Sequence, residues 1–117
     1  MDGNGRWALE RGVSRSKGHR LGGEAVREII KTCIKHKIKT LSLFAFGQDN
    51  WMRPPEEVDF LMQLFEDFLE KEESELHAAG VRLSFIGDIS GLDDVLQKIF
   101  NSAEALTQEN TVLHLNI

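Results

Sequence analysis

The chain has 117 residues, of which 41% are hydrophobic and 28% are charged, which is typical of one globular domain rather than a disordered or fibrous chain. The longest apolar run, residues 40–46, is too short to cross a bilayer, and no signal-peptide pattern opens the sequence. We therefore expect a soluble, cytoplasmic protein. A single cysteine excludes a disulfide within the chain, and helical spacing of apolar residues around Cys33 predicts a buried thiol.

The net charge of −5 is unevenly distributed. Residues 1–40 hold ten Lys and Arg against four Asp and Glu, whereas the remainder holds four against fifteen. The basic end is expected to bind an anion. Because it is rich in glycine, has Trp7 as its one aromatic residue and belongs to an acidic protein, we expect a small phosphorylated ligand and no nucleic acid.

The first predicted element is a phosphate-binding loop at the start of the chain. Glycine lets backbone amides approach an anion, arginine offers a planar fork to phosphate oxygens, and an aspartate beside them can hold magnesium. The alternative is a flexible segment whose charges are only solvated, and spacing alone does not decide between the two. The residues that suggest this loop are Asp2, Gly3, Gly5, Arg6, Arg11, Arg15, Lys17, His19 and Arg20.

Apolar residues at the i, i+3, i+4, i+7 spacing of one helix face predict three helices, over residues 22–36, 56–79 and 92–107. In the second helix, an apolar stripe that includes Val58 and Leu69 is expected to be buried. The opposite face is acidic and is expected to be in contact with water. Its residues are Glu66, Glu70, Glu72, Glu73 and Glu75.

Three apolar runs between these helices, residues 40–46, 81–86 and 112–117, have strand length and composition. Strands joined by helical crossovers lie parallel when they are neighbours, so the fold class is α/β, a parallel sheet flanked by helices. Ligands of such sheets bind at the carboxyl ends of the strands. The loops over 47–55 and 87–91 are therefore the expected positions of the site.

The loop over 47–55 carries three residue types suited to a substrate site. Asn50 can orient a substrate, Trp51 can cover an apolar chain and Arg53 can reach a phosphate. In the alternative interpretation, Trp51 anchors the core and Arg53 pairs with Glu57, four residues on. Residue chemistry alone favours this second interpretation.

A set of separated motifs extends along the chain: Met1-Asp2-Gly3-Asn4-Gly5-Arg6-Trp7-Ala8, Arg11-Gly12, Arg15, Gly18-His19, Gly22, Ala45-Phe46, Asn50-Trp51, Arg53-Pro54, Glu57-Val58, Val81-Arg82, Ile86-Gly87-Asp88, Thr107, Asn110-Thr111 and Leu115-Asn116. In order and spacing these motifs resemble the signature of the cis-prenyltransferases, most closely that of the bacterial undecaprenyl diphosphate synthases. The resemblance covers essentially all of residues 1–117. It implies a single, partial domain of that fold, without the strand that precedes the Asp2 block in the family and without the long segment that follows residue 117.

The resemblance implies a homodimeric enzyme that condenses isopentenyl diphosphate with farnesyl diphosphate in cis, with magnesium, to give a long polyprenyl diphosphate. Such a product partitions into membranes, so peripheral membrane association is also expected. By resemblance, Asp2 is a catalytic carboxylate and the magnesium ligand, and Asn50 is a catalytic residue implicated in deprotonation. The substrate-binding residues implied are Gly3, Asn4, Gly5, Arg6, Trp7, Arg15, His19, Phe46, Trp51, Arg53 and Glu57. The apolar tunnel implied is lined by Ala45, Leu61, Leu64 and Leu113.

Two residues depart from the family pattern: Gly47 stands where a serine is usual, and Asp49 where a glutamate is usual. The segments outside the chain carry the isopentenyl diphosphate site, a second magnesium-linked glutamate and much of the dimer interface in the family, so we expect the isolated chain to be inactive. Two other functions stay open. One is a noncatalytic module that binds an allylic diphosphate or pairs with a full-length subunit, and the other is a nucleotide-binding α/β domain, which the lack of a strand before the glycines disfavours.

Overall fold

The structure is a computed structural model that describes residues 1–117. Helices and parallel strands alternate along the chain, which confirms the predicted α/β class. None of the helices combines the length and hydrophobicity that crossing a bilayer requires. The elements are α1 (Asn4–Glu10), α2 (Arg15–Lys35), β1 (Thr40–Ser42), a 3₁₀ turn (Gln48–Met52), α3 (Pro55–Ala78), β2 (Val81–Ser84), α4 (Asp94–Thr107) and β3 (Leu113–Asn116).

The three strands form a parallel sheet in the order β1-β3-β2, so that β3 lies in the centre. Leu115 of β3 is in register with Leu41 on one side and Leu83 on the other. Alternate residues of a strand point to opposite faces, and one face of this sheet packs against the helices. The core on that face also contains the stacked rings of Phe85 and Phe100, whose centroids are 3.9 Å apart.

The strands end earlier than the sequence predicts. β1 stops at Ser42 rather than at residue 46, and its last hydrogen bond to the sheet runs from the N–H of Leu43 to the carbonyl of Asn116 (2.8 Å). Beyond that point the chain leaves the sheet and turns across its carboxyl edge. This early end brings residues 43–46 to the candidate site.

The glycine-rich start is helical, since it forms α1 and the first turns of α2, and the alternative of a flexible segment does not hold. Ser14 begins α2 at Arg15, well before residue 22, and its Oγ accepts the N–H of Lys17 (3.2 Å). Gly18 permits the close approach of the two helices: a Cβ there would lie 2.2 Å from the Asn4 carbonyl oxygen. The glycine-rich composition therefore reflects helix packing at this position.

The prediction that Glu72 faces water is also wrong. Glu72 lies between Leu69 and Leu76 on the buried face of α3, with 7% of its surface exposed, and accepts a hydrogen bond from Arg27 of α2. A charged side chain can remain buried when an opposite charge accompanies it. Cys33 is buried in the core, as predicted.

Candidate functional site

A cavity of about 310 Å³ lies at the carboxyl edge of the sheet. The residue that directly follows each strand contributes to the cavity wall. These residues are Leu43 after β1, Phe85 after β2 and Ile117 after β3. The loop after β1 reaches the cavity as predicted, but the loop over 87–91 does not. In that second loop Asp88 forms a local turn with Ser90, whose hydroxyl and N–H lower the pKa of the Asp88 carboxyl.

The inner part of the cavity is apolar and lies between α2 and α3. Ala45, Leu61 and Leu64 line it, as the family resemblance implies, whereas Leu113 is fully buried in the core and lies outside the wall. Apolar spacing identified the residues of α3 as buried but not as cavity walls. The further apolar wall residues are Val26, Leu43, Phe44, Phe65, Phe68, Leu69, Phe85 and Ile117.

The mouth of the cavity is basic, because Arg6, Arg15 and Arg53 all line it. Gly5 makes room for the second of these: a Cβ there would lie 2.7 Å from Arg15 Nη1. The guanidinium of Arg15 therefore passes close to the start of α1. Three guanidinium groups around one opening suit a ligand with several anionic oxygens.

A half-buried carboxylate, that of Glu57, joins two of the residues at this mouth. Glu57 Oε1 accepts hydrogen bonds from His19 Nε2 and from Arg53 Nη1, both at 3.0 Å. Burial by itself would raise the pKa of Glu57, but the hydrogen bond from His19 and the positive charges of Arg53 and Arg15 outweigh it, so the pKa lies below its ordinary value. The pairing of Arg53 with Glu57 is thus confirmed, and His19 has its Nε2 committed to the same carboxylate.

Asn50 lies in the cavity wall with its side chain held in one orientation. Its Oδ1 accepts the backbone N–H of Gly47 at 2.7 Å. Since a backbone N–H is always a donor, the carbonyl side of the amide is occupied and its two N–H bonds remain available. A Cβ at Gly47 would lie 2.6 Å from the ring of Phe44, so the usual serine would require Phe44 to move.

Comparison with known proteins identifies the family. A family model described as "Putative undecaprenyl diphosphate synthase" matches residues 1–117. The chain belongs to the cis-prenyltransferase family.

Individual relatives agree with this membership. The chain is 52% identical over 117 residues to a ditrans,polycis-undecaprenyl-diphosphate synthase of Legionella pneumophila, covering 100% of the chain and 49% of that protein. It is 49% identical over 115 residues to dehydrodolichyl diphosphate synthase 2 of Arabidopsis thaliana, covering 98% of the chain and 37% of that protein. The crystal structure of lavandulyl diphosphate synthase from Lavandula x intermedia, in complex with dimethylallyl diphosphate, superimposes with a TM-score of 0.94 at 37% identity, covering 99% of the chain and 50% of that structure. The chain thus spans about half the length of most relatives that it matches.

The structure brings most of the residues implied by the cis-prenyltransferase resemblance to one cavity, but not all of them. Trp7 is exposed and stacks under the guanidinium of Arg11, 4.3 Å from its ring centroid. Trp51 is neither in the wall nor in the core, and meets Phe46 edge to face at 5.1 Å. Glu57 lies outside the wall and contacts His19 and Arg53, which line it. Those that line the cavity are Asp2, Gly3, Asn4, Gly5, Arg6, Arg15, His19, Phe46, Asn50 and Arg53.

Asp2 fits a magnesium ion that is shared with a ligand. No cluster of three or more His, Cys, Asp or Glu side chains could hold a metal by itself. Asp2 Oδ1 accepts the N–H of Gly3 (2.6 Å) and faces Arg6 Nη2 at 3.3 Å, which leaves the other carboxylate oxygen without a hydrogen bond. Magnesium is commonly held by one or two carboxylates together with substrate phosphates. One carboxylate at a basic mouth is compatible with that arrangement.

Proposed function

We propose that this chain forms the allylic-diphosphate half of a cis-prenyltransferase active site. The complete enzyme would condense isopentenyl diphosphate with farnesyl diphosphate in cis, giving a long polyprenyl diphosphate such as undecaprenyl diphosphate. The observation that carries the proposal is the division of one cavity into a basic mouth and an apolar interior. A prenyl diphosphate has the same division between its anionic head and its hydrocarbon tail.

The residues of the mouth suit the departure of a diphosphate. In the proposed reaction the bond between the allylic carbon and the diphosphate oxygen breaks, a carbon–carbon bond forms to isopentenyl diphosphate, and one proton leaves. Arg6 and Arg15 would stabilise the charge that develops on the leaving oxygens, and fixed donors of this kind supply much of the rate enhancement in such sites. Asp2 would hold magnesium, which neutralises diphosphate charge when bound.

The other expectations for the complete enzyme are also proposals. Its product has a long hydrocarbon tail, so we expect it to partition into a membrane and the enzyme to associate there peripherally. By family resemblance the complete enzyme is a homodimer. The rival function is a noncatalytic module that binds the allylic diphosphate, or pairs with a full-length subunit, without condensing anything.

Isotope incorporation and binding measurements test the proposed function. Labelled isopentenyl diphosphate, supplied with farnesyl diphosphate and magnesium, should enter lipid with a version extended at both ends to the length of the Legionella relative, and not with the 117-residue chain. The chain should nevertheless bind farnesyl diphosphate. Arg15→Met should weaken that binding about 10- to 100-fold, the equivalent of one charge-assisted contact. Lys17→Met is the matched control, since it removes the same charge outside the cavity.

Two results would contradict the proposal. Tight binding that is equally affected by Arg15→Met and Lys17→Met would indicate a general charge effect rather than a diphosphate site. Binding without incorporation by the extended version would favour the noncatalytic module.

Asn50→Asp distinguishes a hydrogen-bond donor from a base at this position. The aspartate can still accept the N–H of Gly47 but has no N–H of its own to offer the substrate, and it adds negative charge to the mouth. We expect affinity for farnesyl diphosphate to fall by roughly tenfold or more and incorporation to fall with it. Asn50→Gln is the comparison variant, since it keeps an amide at this position. If Asn50→Asp matched or exceeded the incorporation rate of the unmodified enzyme, the amide N–H groups would not be needed and a proton acceptor at this position would be sufficient.

A further inference from the structure

β2 forms one edge of the sheet, and a side chain of α4 bonds to its outer side at the cavity. The carbonyl of Ser84 and the N–H of Ile86 both bond to Ile117 at the end of β3, at 2.9 and 2.7 Å. The N–H of Phe85 lies between them and therefore points away from β3. Glu104 Oε1 of α4 accepts that N–H at 2.7 Å. A half-buried carboxylate thus takes the place that a neighbouring strand would have.

Two further bonds hold the same edge of β2. Thr107 Oγ1 accepts the N–H of Leu83 at 2.9 Å, and Asn110 Nδ2 donates to the carbonyl of Val81 at 2.8 Å. Leu83 and Val81 are buried in the core and lie outside the cavity wall, so these bonds are explained by the need to pair buried backbone groups. The bond to Phe85 differs, because Phe85 is the one of these three alternate residues that lines the cavity.

The ring of Phe85 is also held by α4. It stacks on the ring of Phe100, with centroids 3.9 Å apart and planes 8° apart, and Phe100 meets the ring of Phe65 edge to face at 6.4 Å. Phe65 and Phe85 line the cavity, whereas Phe100 is buried outside the wall. Aromatic rings pack favourably only at particular distances and angles. The position of the Phe85 backbone therefore affects the aromatic part of the wall as a whole.

We propose that Glu104 is a positioning residue for the part of the cavity that receives the hydrocarbon tail of the ligand. Its carboxylate fixes the backbone of Phe85 at the point where the chain leaves β2 and enters the apolar wall. Without this acceptor, Phe85 keeps only its ring contact with α4 and is free to shift. The inference rests on the proposed function and adds to it a residue that acts on tail binding without touching the diphosphate.

The affinities of the 117-residue chain for farnesyl diphosphate and for inorganic diphosphate test this role. In Glu104→Ala, the affinity for farnesyl diphosphate should fall by roughly 4- to 15-fold, as expected from the loss of one or two buried CH₂ groups of contact. The affinity for inorganic diphosphate should stay unchanged, because Arg6 and Arg15 of the mouth belong to α1 and α2. Glu104→Gln removes the same charge but keeps an oxygen that can accept the Phe85 N–H, so both affinities should match those of the unmodified chain.

Thr107→Val separates positioning from stability. It removes an equivalent acceptor from the N–H of Leu83, two residues before Phe85 and outside the cavity wall. It should lower the midpoint of thermal unfolding and leave the ratio of the two affinities unchanged. A folded Glu104→Ala variant with an unchanged ratio would overturn the positioning role, and so would a Thr107→Val variant whose ratio falls as far.

Amide hydrogen exchange at Phe85 gives a readout that needs no ligand. Exchange of this N–H should be at least about tenfold faster in Glu104→Ala than in the unmodified chain or in Glu104→Gln. Equal exchange in all three proteins would show that the carboxylate does not hold Phe85. If the unmodified chain binds farnesyl diphosphate no more tightly than inorganic diphosphate, the proposed function fails, and the exchange rates still decide whether Glu104 fixes this residue.

Discussion

Gly18→Ala should lower the stability of the chain by about 1–3 kcal/mol, the usual cost of forcing an extra group into a packed contact. The added Cβ would lie 2.2 Å from the Asn4 carbonyl oxygen and 2.8 Å from the Cβ of Ala8, so α1 must move away from α2. A backbone carbonyl cannot rotate aside as a side chain can. The midpoint of thermal unfolding should fall by about 4 °C for each kcal/mol in a chain of this size.

Gly23→Ala is the control for that substitution. It changes the same residue type in the same helix, but its added Cβ meets nothing within 4 Å. Because alanine is the better helix former by roughly 1 kcal/mol, we expect this variant to be as stable as the unmodified chain or more so. Equal unfolding midpoints for the two variants would contradict the tight contact between α1 and α2.

The displacement of α1 by Gly18→Ala should also weaken diphosphate binding. Asn4, Gly5 and Arg6 lie at the start of α1 and line the mouth of the cavity. If α1 moves, these groups move with it even when the rest of the fold is retained. Farnesyl diphosphate affinity measured well below the unfolding midpoint would separate this effect from the loss of stability.

The sequence was most informative about the sheet and the two later helices. Periodicity placed α3 and α4 within two residues at either end, because each helix has one continuous apolar face. It failed where tertiary contact decides the structure. The segment around Gly18 resembles a loop by composition, yet its glycines serve the packing of α1 on α2, and that requirement is visible only once α1 is in place.

The same distinction applies to the site. Residue chemistry made Arg6 and Arg15 candidates for phosphate binding but left a solvated segment open, and it favoured the pairing of Arg53 with Glu57. The family resemblance was needed to assign all three arginines to a substrate site. Residue chemistry could not show that Glu72 is buried, because its partner Arg27 is 45 residues away. Nor could it show the orientations of Trp7 and Trp51, which depend on neighbours from other segments.

Glu57→Gln should destabilise the chain by about 1.5–3 kcal/mol, the range for hydrogen bonds to charged groups. The carboxylate accepts from His19 Nε2 and Arg53 Nη1 at once, and 14% of its side chain is exposed. A neutral amide offers Arg53 no counter-charge. Glu56→Gln is the matched control at the same end of α3, where the carboxylate is exposed, and it should cost at most about 1 kcal/mol through the helix dipole.

The stabilising effect of Glu57 should depend on pH in a defined direction. The folded pKa lies below the ordinary value of 4.5, so the carboxylate contributes its full stabilisation above about pH 5 and loses it as the pH falls through the folded pKa. The difference in free energy of unfolding between the unmodified chain and Glu57→Gln should therefore be constant near neutrality and shrink below pH 4.5. Urea unfolding of both proteins between about pH 3 and 7 measures that difference. A difference that grew as the pH fell would mean that the neutral acid, and not the carboxylate, is the form that holds His19 and Arg53.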